Sequence, residues 1–253
     1  MLTCRIIPLL LLRGGALVKT VRFHNYTYVG DAINTARIFN ELEVDELTFL
    51  DIDATRAARS PDFSLMADIA DECFMPLSYG GGIRTIDDFK RTINIGFEKV
   101  VVNSYALERP KFISEAASLF GSQSVIASID VRRTFWGKYE VFSASGTCNT
   151  KRNPVAWANE LESLGAGEIL LTSIDREGTW SGFDVELIHS VTSSVSVPVI
   201  AHGGAGTLGH IATAIKDGGA SAIALGSLVV FQRKDMGVLV NFPDKDELKR
   251  HLA

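Results

Sequence analysis

Residues 75–85 and 197–207 are two copies of one device. Met75-Pro76-Leu77-Ser78-Tyr79-Gly80-Gly81-Gly82-Ile83-Arg84-Thr85 is echoed by Val197-Pro198-Val199-Ile200-Ala201-His202-Gly203-Gly204-Ala205-Gly206-Thr207. Pro76 and Pro198, Gly81 and Gly203, Gly82 and Gly204, and Thr85 and Thr207 are each 122 positions apart, close to half of a 253-residue chain. In each copy a short apolar strand runs into glycines, and a helix follows a hydroxyl residue. Glycines let the backbone close on a ligand, and a helix N-terminus offers unpaired N–H groups with a positive dipole end, which together suit a phosphate. A chain that builds this twice, half its length apart, predicts a two-fold pseudo-symmetric barrel for a ligand with a phosphate at each end.

The rest of the chain has the matching rhythm. Eight apolar runs of strand length occur at Arg5–Leu12, Glu46–Asp53, Met75–Tyr79, Lys99–Asn103, Ser124–Asp130, Glu168–Ile174, Val197–Ala201 and Ala222–Leu225. Most are unbroken β-branched and leucine-rich runs without alternation, as parallel strands buried on both faces require. Amphipathic segments of helical length separate them, such as Ala32–Leu42, Ile86–Ile95, Pro110–Phe120, Pro154–Leu164 and Leu208–Lys216. Strand and helix alternating eight times is the pattern of an α/β chain folded as a single (β/α)8 TIM barrel over residues 1–253, with two-fold half-barrel pseudo-symmetry. One irregular insert, Arg132 to Asn153, follows the fifth strand and reads as a small hairpin on the catalytic face, either a lid or a plain surface hairpin.

Bulk properties narrow the function classes. A net charge of −5 argues against general nucleic-acid binding. Cys4, Cys73 and Cys148 lack CxxC spacing and read as reduced cytosolic thiols, neither a disulfide frame nor a zinc site. The apolar run Ile6–Leu12 contains Pro8 and is too short to span a membrane, so it reads as a buried first strand in a cytoplasmic protein. No metal and no cofactor is expected.

In a barrel of this kind the C-terminal strand ends build the site. Asp51, Asp53, Asn103, Ser104, Asp130, Thr172, Ser173, Asp175, Glu177, His202, Gly226 and Ser227 stand there. The phosphate candidates are Gly81, Gly82, Asn103 and Ser104 in one half, and Gly178, Gly203, Gly204, Gly226 and Ser227 in the other; plain turn glycines are the alternative. Asp130 ends an otherwise apolar strand, where desolvation raises a carboxylate toward a useful acid–base range; capping a loop or pairing Arg132 is the other reading. Lys19, on the loop after the first strand, is a candidate for holding a ligand anion or is simply solvated. His202 is a candidate for catalysis, for donating to phosphate, or for a hydrogen-bonding spacer.

Four charges stand at strand beginnings instead: Arg5, Glu46, Lys99 and Glu168, with Glu46 and Glu168 again 122 apart. Two cations and two anions at the N-terminal mouth are able to close the barrel bottom as a salt-bridge cluster, and bottom-face residues normally serve stability.

Arg5-Ile6-Ile7-Pro8, Phe49-Leu50-Asp51-Ile52-Asp53, Gly80-Gly81-Gly82-Ile83-Arg84, Phe120-Gly121-Ser122-Gln123, Gly165-Ala166-Gly167-Glu168-Ile169-Leu170-Leu171 and Gly203-Gly204-Ala205-Gly206 resemble, in order and over essentially the whole chain, the HisF family. HisF is the cyclase subunit of imidazole glycerol phosphate synthase. The resemblance implies a HisH-type glutaminase as partner, ammonia entering at the barrel bottom, and a bis-phosphorylated ligand at the top. It implies that Arg5, Glu46, Lys99 and Glu168 are the ammonia gate, and that Lys19 and Asp130 serve catalysis.

The likeness breaks at one chemical group. The family uses a second aspartate on the first strand, and the matching position here is Leu11, within Leu9-Leu10-Leu11-Leu12. Losing one proton-transfer group typically costs about 10²–10⁴ in rate. His202 stands where the family has serine, Glu177 where it has aspartate, and Thr20-Val21 follows Lys19 in place of glycine. With Cys73-Phe74-Met75-Pro76 and Phe231, these features look like a second-copy, WbuZ-like branch of HisF associated with glycosyl amidation. That branch implies ammonia supplied to a sugar amidotransferase of surface-polysaccharide synthesis. Three functions are therefore expected as alternatives: an ammonia-channelling partner of a glutaminase, a working cyclase-lyase of histidine synthesis, and a non-catalytic barrel that senses a phosphorylated metabolite.

Overall fold

The computed structural model describes residues 4–252, and its centre is a closed parallel barrel. The eight barrel strands are β1 (Arg5–Arg13), β2 (Leu47–Asp51), β3 (Leu77–Gly80), β4 (Lys99–Val102), β5 (Val125–Arg133), β6 (Glu168–Ser173), β7 (Val199–His202) and β8 (Ala222–Leu225). Each pairs in parallel with the next, and Arg5 of β1 pairs with Ala222 of β8 to close the ring. Around it run α1 (Ala32–Glu41), α2 (Phe63–Ala70), α3 (Ile86–Ile95), α4 (Lys111–Phe120), α5 (Pro154–Ser163), α6 (Val185–Thr192), α7 (Leu208–Lys216) and α8 (Lys245–Leu252).

Two apolar layers hold this arrangement. The outer one packs strands against helices and includes Phe39, Phe49, Phe89, Phe112 and Trp157. The inner one fills the barrel with Ile7, Leu9, Leu11, Val101, Ile126, Leu170, Ile200, Ala222 and Ala224. Strands buried on both faces explain why the sequence shows continuous apolar runs without alternation.

The two-fold repeat survives into atomic detail. The Thr85 hydroxyl accepts from the N–H of Asp88 to start α3, and the Thr207 hydroxyl accepts from the N–H of His210 to start α7. Asp88 returns a bond from the Arg84 N–H, and His210 Nδ1 returns one from the Gly206 N–H. A cap of this kind contributes roughly 1 kcal/mol. Gly81 has φ +114°, and a Cβ there would sit 2.3 Å from the Asp51 carbonyl oxygen; Gly203 has φ +100°, and its Cβ would sit 2.7 Å from the Ser173 carbonyl oxygen. Asp51 and Ser173 are themselves 122 residues apart.

Two hairpins stand on the C-terminal end. Tyr139–Ser143 with Cys148–Asn149 is the expected insert after β5. The second, Ala16–Val21 with His24–Asp31, corrects the expectation of a loop after β1: Lys19 lies on a strand and is buried. Strand pairing with β1 through Leu11 and Val18 carries it there. Arg22 and Phe23 form its two-residue turn with φ +53° and +65°, the left-handed pair such turns require and that glycine or asparagine adopts more easily.

Candidate functional site

At the N-terminal mouth the four predicted charges meet in one ring. Arg5 Nη1 donates to Glu46 Oε2 at 2.8 Å, and Arg5 Nη2 to Glu168 Oε2 at 3.0 Å. Lys99 Nζ closes the other side, 3.0 Å from Glu46 Oε2 and 2.9 Å from Glu168 Oε1. Glu46 also accepts from the Ser78 hydroxyl at 3.0 Å. Ser78 escaped sequence reasoning, although a small hydroxyl at the start of an apolar strand was the available signal. The ring is closed by mutual pairing, so each charge is compensated where it is most buried.

Above the ring the barrel interior is filled by apolar side chains up to a polar rank near the strand ends. Asp130 on β5, Thr172 on β6 and His202 on β7 are paired neighbours across three adjacent strands. Asn103 Nδ2 donates to Asp130 Oδ2 at 2.8 Å, the Thr172 hydroxyl also bonds Asp130, and Thr172 Oγ1 lies 3.2 Å from His202 Nδ1. Burial pushes Asp130 up to about 7, against the two hydrogen bonds that pull it down. Burial, aided by the nearby Lys19 charge, pushes His202 down to about 3, so it is neutral at physiological pH. Arg132 Nε lies 4.0 Å from Asp175 Oδ1, so the pairing of Arg132 with Asp130 is not the one formed.

A cavity of about 120 Å³ opens above this rank. Leu11, Leu50, Ile52 and Val101 give it an apolar wall, and Gly81, Gly82, Asn103 and Ser104 one end. Three carboxylates line it: Asp51, Asp130 and Glu177. Asp51 is occupied, accepting from the N–H groups of Asp53 and Ala54 and pairing with Arg59 at 2.8 Å. Glu177 is paired with Lys19 and accepts from the Phe23 N–H. Asp130 alone combines a raised pKa with a carboxylate free of any cation. Asn103 Oδ1 and Thr20 Oγ1 are buried and without partners among the described residues, so both are available to ligand hydroxyls.

The two hairpins roof the cavity. Ser145 at the tip of the later one lines it and donates to the Ile52 carbonyl, and the Ala144 N–H donates to the Ser104 hydroxyl. Phe23 and Tyr26 of the earlier hairpin line the cavity too. Glu177 ties that hairpin down three times, its carboxylate taking Lys19 and the Phe23 N–H and its carbonyl the Arg22 N–H at 2.9 Å. Burial pushes the Lys19 ammonium down to about 7.

Lys19, Gly178, His202, Gly203, Gly204, Gly226 and Ser227 line a second, smaller pocket. Asn103 and Gly226 hold the same backbone shape at the starts of the short helices Ser104–Glu108 and Ser227–Val230, and neither makes a side-chain cap bond. Asp53 turns outward to Arg13, and Asp175 lies on the rim with Arg132. Among the described residues, no group of three or more His, Cys, Asp or Glu side chains is placed to hold a metal ion, and no helix is long and apolar enough to cross a membrane.

Residues 5–234 match the family described as "Histidine biosynthesis protein". A Pseudomonas aeruginosa relative named "Putative imidazole glycerol phosphate synthase subunit hisF2" is 50% identical, over 96% of this chain and 97% of its own. Relatives of the same name with the suffixes HisF and hisF3, from Leptospira interrogans and Vibrio vulnificus, are 44% and 42% identical. The first covers 98% of both chains, and the second covers 100% of this chain and 97% of its own.

Proposed function

The chain belongs to the histidine biosynthesis protein family as a HisF-type member, and from that premise we propose that it conducts ammonia from a HisH-type glutaminase to an acceptor at the barrel top. The carrying observation is Leu11. It is buried and lines the cavity with Asp130, where the family's ring-closing chemistry uses a second carboxylate. Neither of the other two carboxylates at the cavity is free to replace it.

The charged mouth and the apolar interior support this route. The glutaminase docks on the N-terminal face below Arg5, Glu46, Lys99 and Glu168. The apolar side chains that fill the barrel above these charges, Ile7, Ile126, Leu170 and Ile200 among them, exclude ammonium, because an unpaired charge among them costs many kcal/mol, while small neutral ammonia passes between them. At the top, Asp130 near pKa 7 is able to take or return a proton as ammonia leaves. A phosphorylated small molecule in the roofed cavity occupies the site while this happens. The acceptor is a surface-polysaccharide sugar, amidated by a separate amidotransferase, as the glycosyl-amidation features of the sequence indicate.

The experiment is an assay of the purified chain with the histidine-pathway bis-phosphate substrate and excess ammonium, which bypasses any partner. No imidazole glycerol phosphate is expected. A second reading, a cyclase relying on Asp130 alone, is favoured by the tuned carboxylate with its Asn103 and Thr172 support. Turnover near one per second, the low end of ordinary enzymes, would establish that second reading instead.

A further inference from the structure

The two halves of the barrel repeat the same glycines, yet the space above them differs. In the first half, Gly81, Gly82, Asn103 and Ser104 open onto the cavity of about 120 Å³. In the second half, the pocket between Gly178, Gly203, Gly204, Gly226 and Ser227 retains about 10 Å³, the room of a single water. A phosphate, with four oxygens around its phosphorus, needs several times that.

Two side chains, Lys19 and His202, fill the difference, and a third, Glu177, holds the first of them. Lys19 crosses Gly226 so closely that a Cβ there would lie 2.7 Å from its Cε, and its Nζ is bound to Glu177. Glu177, 1% exposed, faces the larger cavity and acts on the second pocket by holding Lys19 Nζ in place. His202, held through Nδ1 by Thr172, takes up the space over Gly203. An open groove of about 740 Å³ along the hairpin, lined by Arg22, His24 and Lys234, shares Lys19, Gly178 and Ser227 with the inner pocket but does not reach Gly203, Gly204 or Gly226.

Resting on the reading that the cavity takes a phosphorylated molecule, we propose that this chain binds a monophosphate ester of a polyol or sugar and that its second phosphate seat is closed by Lys19, Glu177 and His202. The phosphate sits at Gly81, Gly82 and Ser104. Hydroxyls of the ligand meet the unpartnered Asn103 Oδ1 and Thr20 Oγ1, and its carbon frame lies between Leu11, Leu50 and Ile52 on one side and Phe23 and Tyr26 above. The ligand's far end carries no second phosphate, since it faces a Lys–Glu pair already neutralised and a neutral imidazole.

Calorimetric titration of the full chain with inorganic phosphate tests this by stoichiometry. One phosphate per chain is expected, weakened at least tenfold in Ser104→Asp. In the Glu177→Gln/His202→Ser double variant, which frees Lys19 and clears the space, two are expected. Two phosphates on the unaltered chain, or one that Ser104→Asp leaves in place, would overturn the closed second seat while keeping a phosphate-binding barrel. No phosphate on any of the three proteins would remove the phosphorylated-ligand reading, and the single seat with it. A double variant that still binds one would show that these side chains are not what closes the second seat, and would equally overturn the proposal.

Discussion

Glu46 and Glu168, 122 residues apart in sequence, share a single ammonium: Lys99 Nζ lies 3.0 Å from one carboxylate and 2.9 Å from the other. Arg5 repeats the bridge from the opposite side. Removing Lys99 leaves two largely buried carboxylates on one cation, so Lys99→Ala is expected to destabilise the fold by about 3 kcal/mol. It should also lower glutamine-driven product formation with the partner at least tenfold while sparing ammonium-driven formation. Equal loss from both nitrogen sources would mean that the ring serves stability alone.

Gly81 and Gly203 have no room for a side chain. Each has a left-handed φ, and each would bring a Cβ within 3 Å of the carbonyl oxygen that ends the neighbouring strand. Gly81→Ala and Gly203→Ala are each expected to cost at least about 2 kcal/mol. Gly237→Ala, with open space around it and no left-handed φ, should cost less than about 1 kcal/mol. Urea unfolding of the three variants ranks them.

Asp130 supplies a pH signature. Unfolded it titrates near 3.8, folded near about 7, so between those values the fold holds a proton that the unfolded chain has released. The stabilisation is fully present below about pH 4 and is lost as pH rises through 7. Asp130→Asn abolishes that slope, so the variant should gain stability relative to the parent between pH 5 and pH 8. Unfolding curves at those two pH values give the comparison; an unchanged difference would place the folded pKa below about 5.

Glu177 latches the first hairpin over the cavity through Lys19, Phe23 and Arg22. Glu177→Ala leaves a buried ammonium unpaired and a left-handed turn with one fewer hold. Breaking such a pair costs about 3 kcal/mol, which concentrated in the hairpin speeds amide exchange on the order of 100-fold. Hydrogen exchange at Phe23 should show this while the α5 amides keep their protection. Equal acceleration in both places would mean a global loss of stability instead of an opened roof.

Phe74 lies between α2 and the start of β3, at the same mouth as the ring, and is 93% exposed. Its N–H is pinned to Asn40 Oδ1 at 2.9 Å, so the aromatic ring is presented on a fixed backbone. As an anchor for the glutaminase it fits the aromatic hot spots that contribute about 2 kcal/mol or more to an interface. Phe74→Ala is expected to weaken the partner's binding roughly 30-fold by calorimetry and to leave the unfolding midpoint unchanged. Unaltered affinity would place the partner away from this residue.

Much of this architecture was legible as pattern. Continuous apolar runs announced strands buried on both faces, and the 122-residue echo announced the paired glycines and the Thr85 and Thr207 caps, because such devices are local and depend on a few consecutive residues. The ring was visible too, since charges at the start of buried strands have only the barrel mouth to occupy. Leu11 in place of a carboxylate needed no coordinates. What lay beyond the sequence was pairing across long chain separations. Lys19 reads as a loop lysine until the hairpin carries it onto Glu177, 158 residues away. Asp51 reads as a site carboxylate until Arg59 and two N–H groups claim it, and Arg132 reads as a partner for Asp130 until Asp175 takes it. The difference in space above two nearly identical glycine devices belongs to the same class. Each glycine motif is written in the chain, but whether a phosphate fits beside it depends on which distant side chains the closed barrel brings into the remaining space.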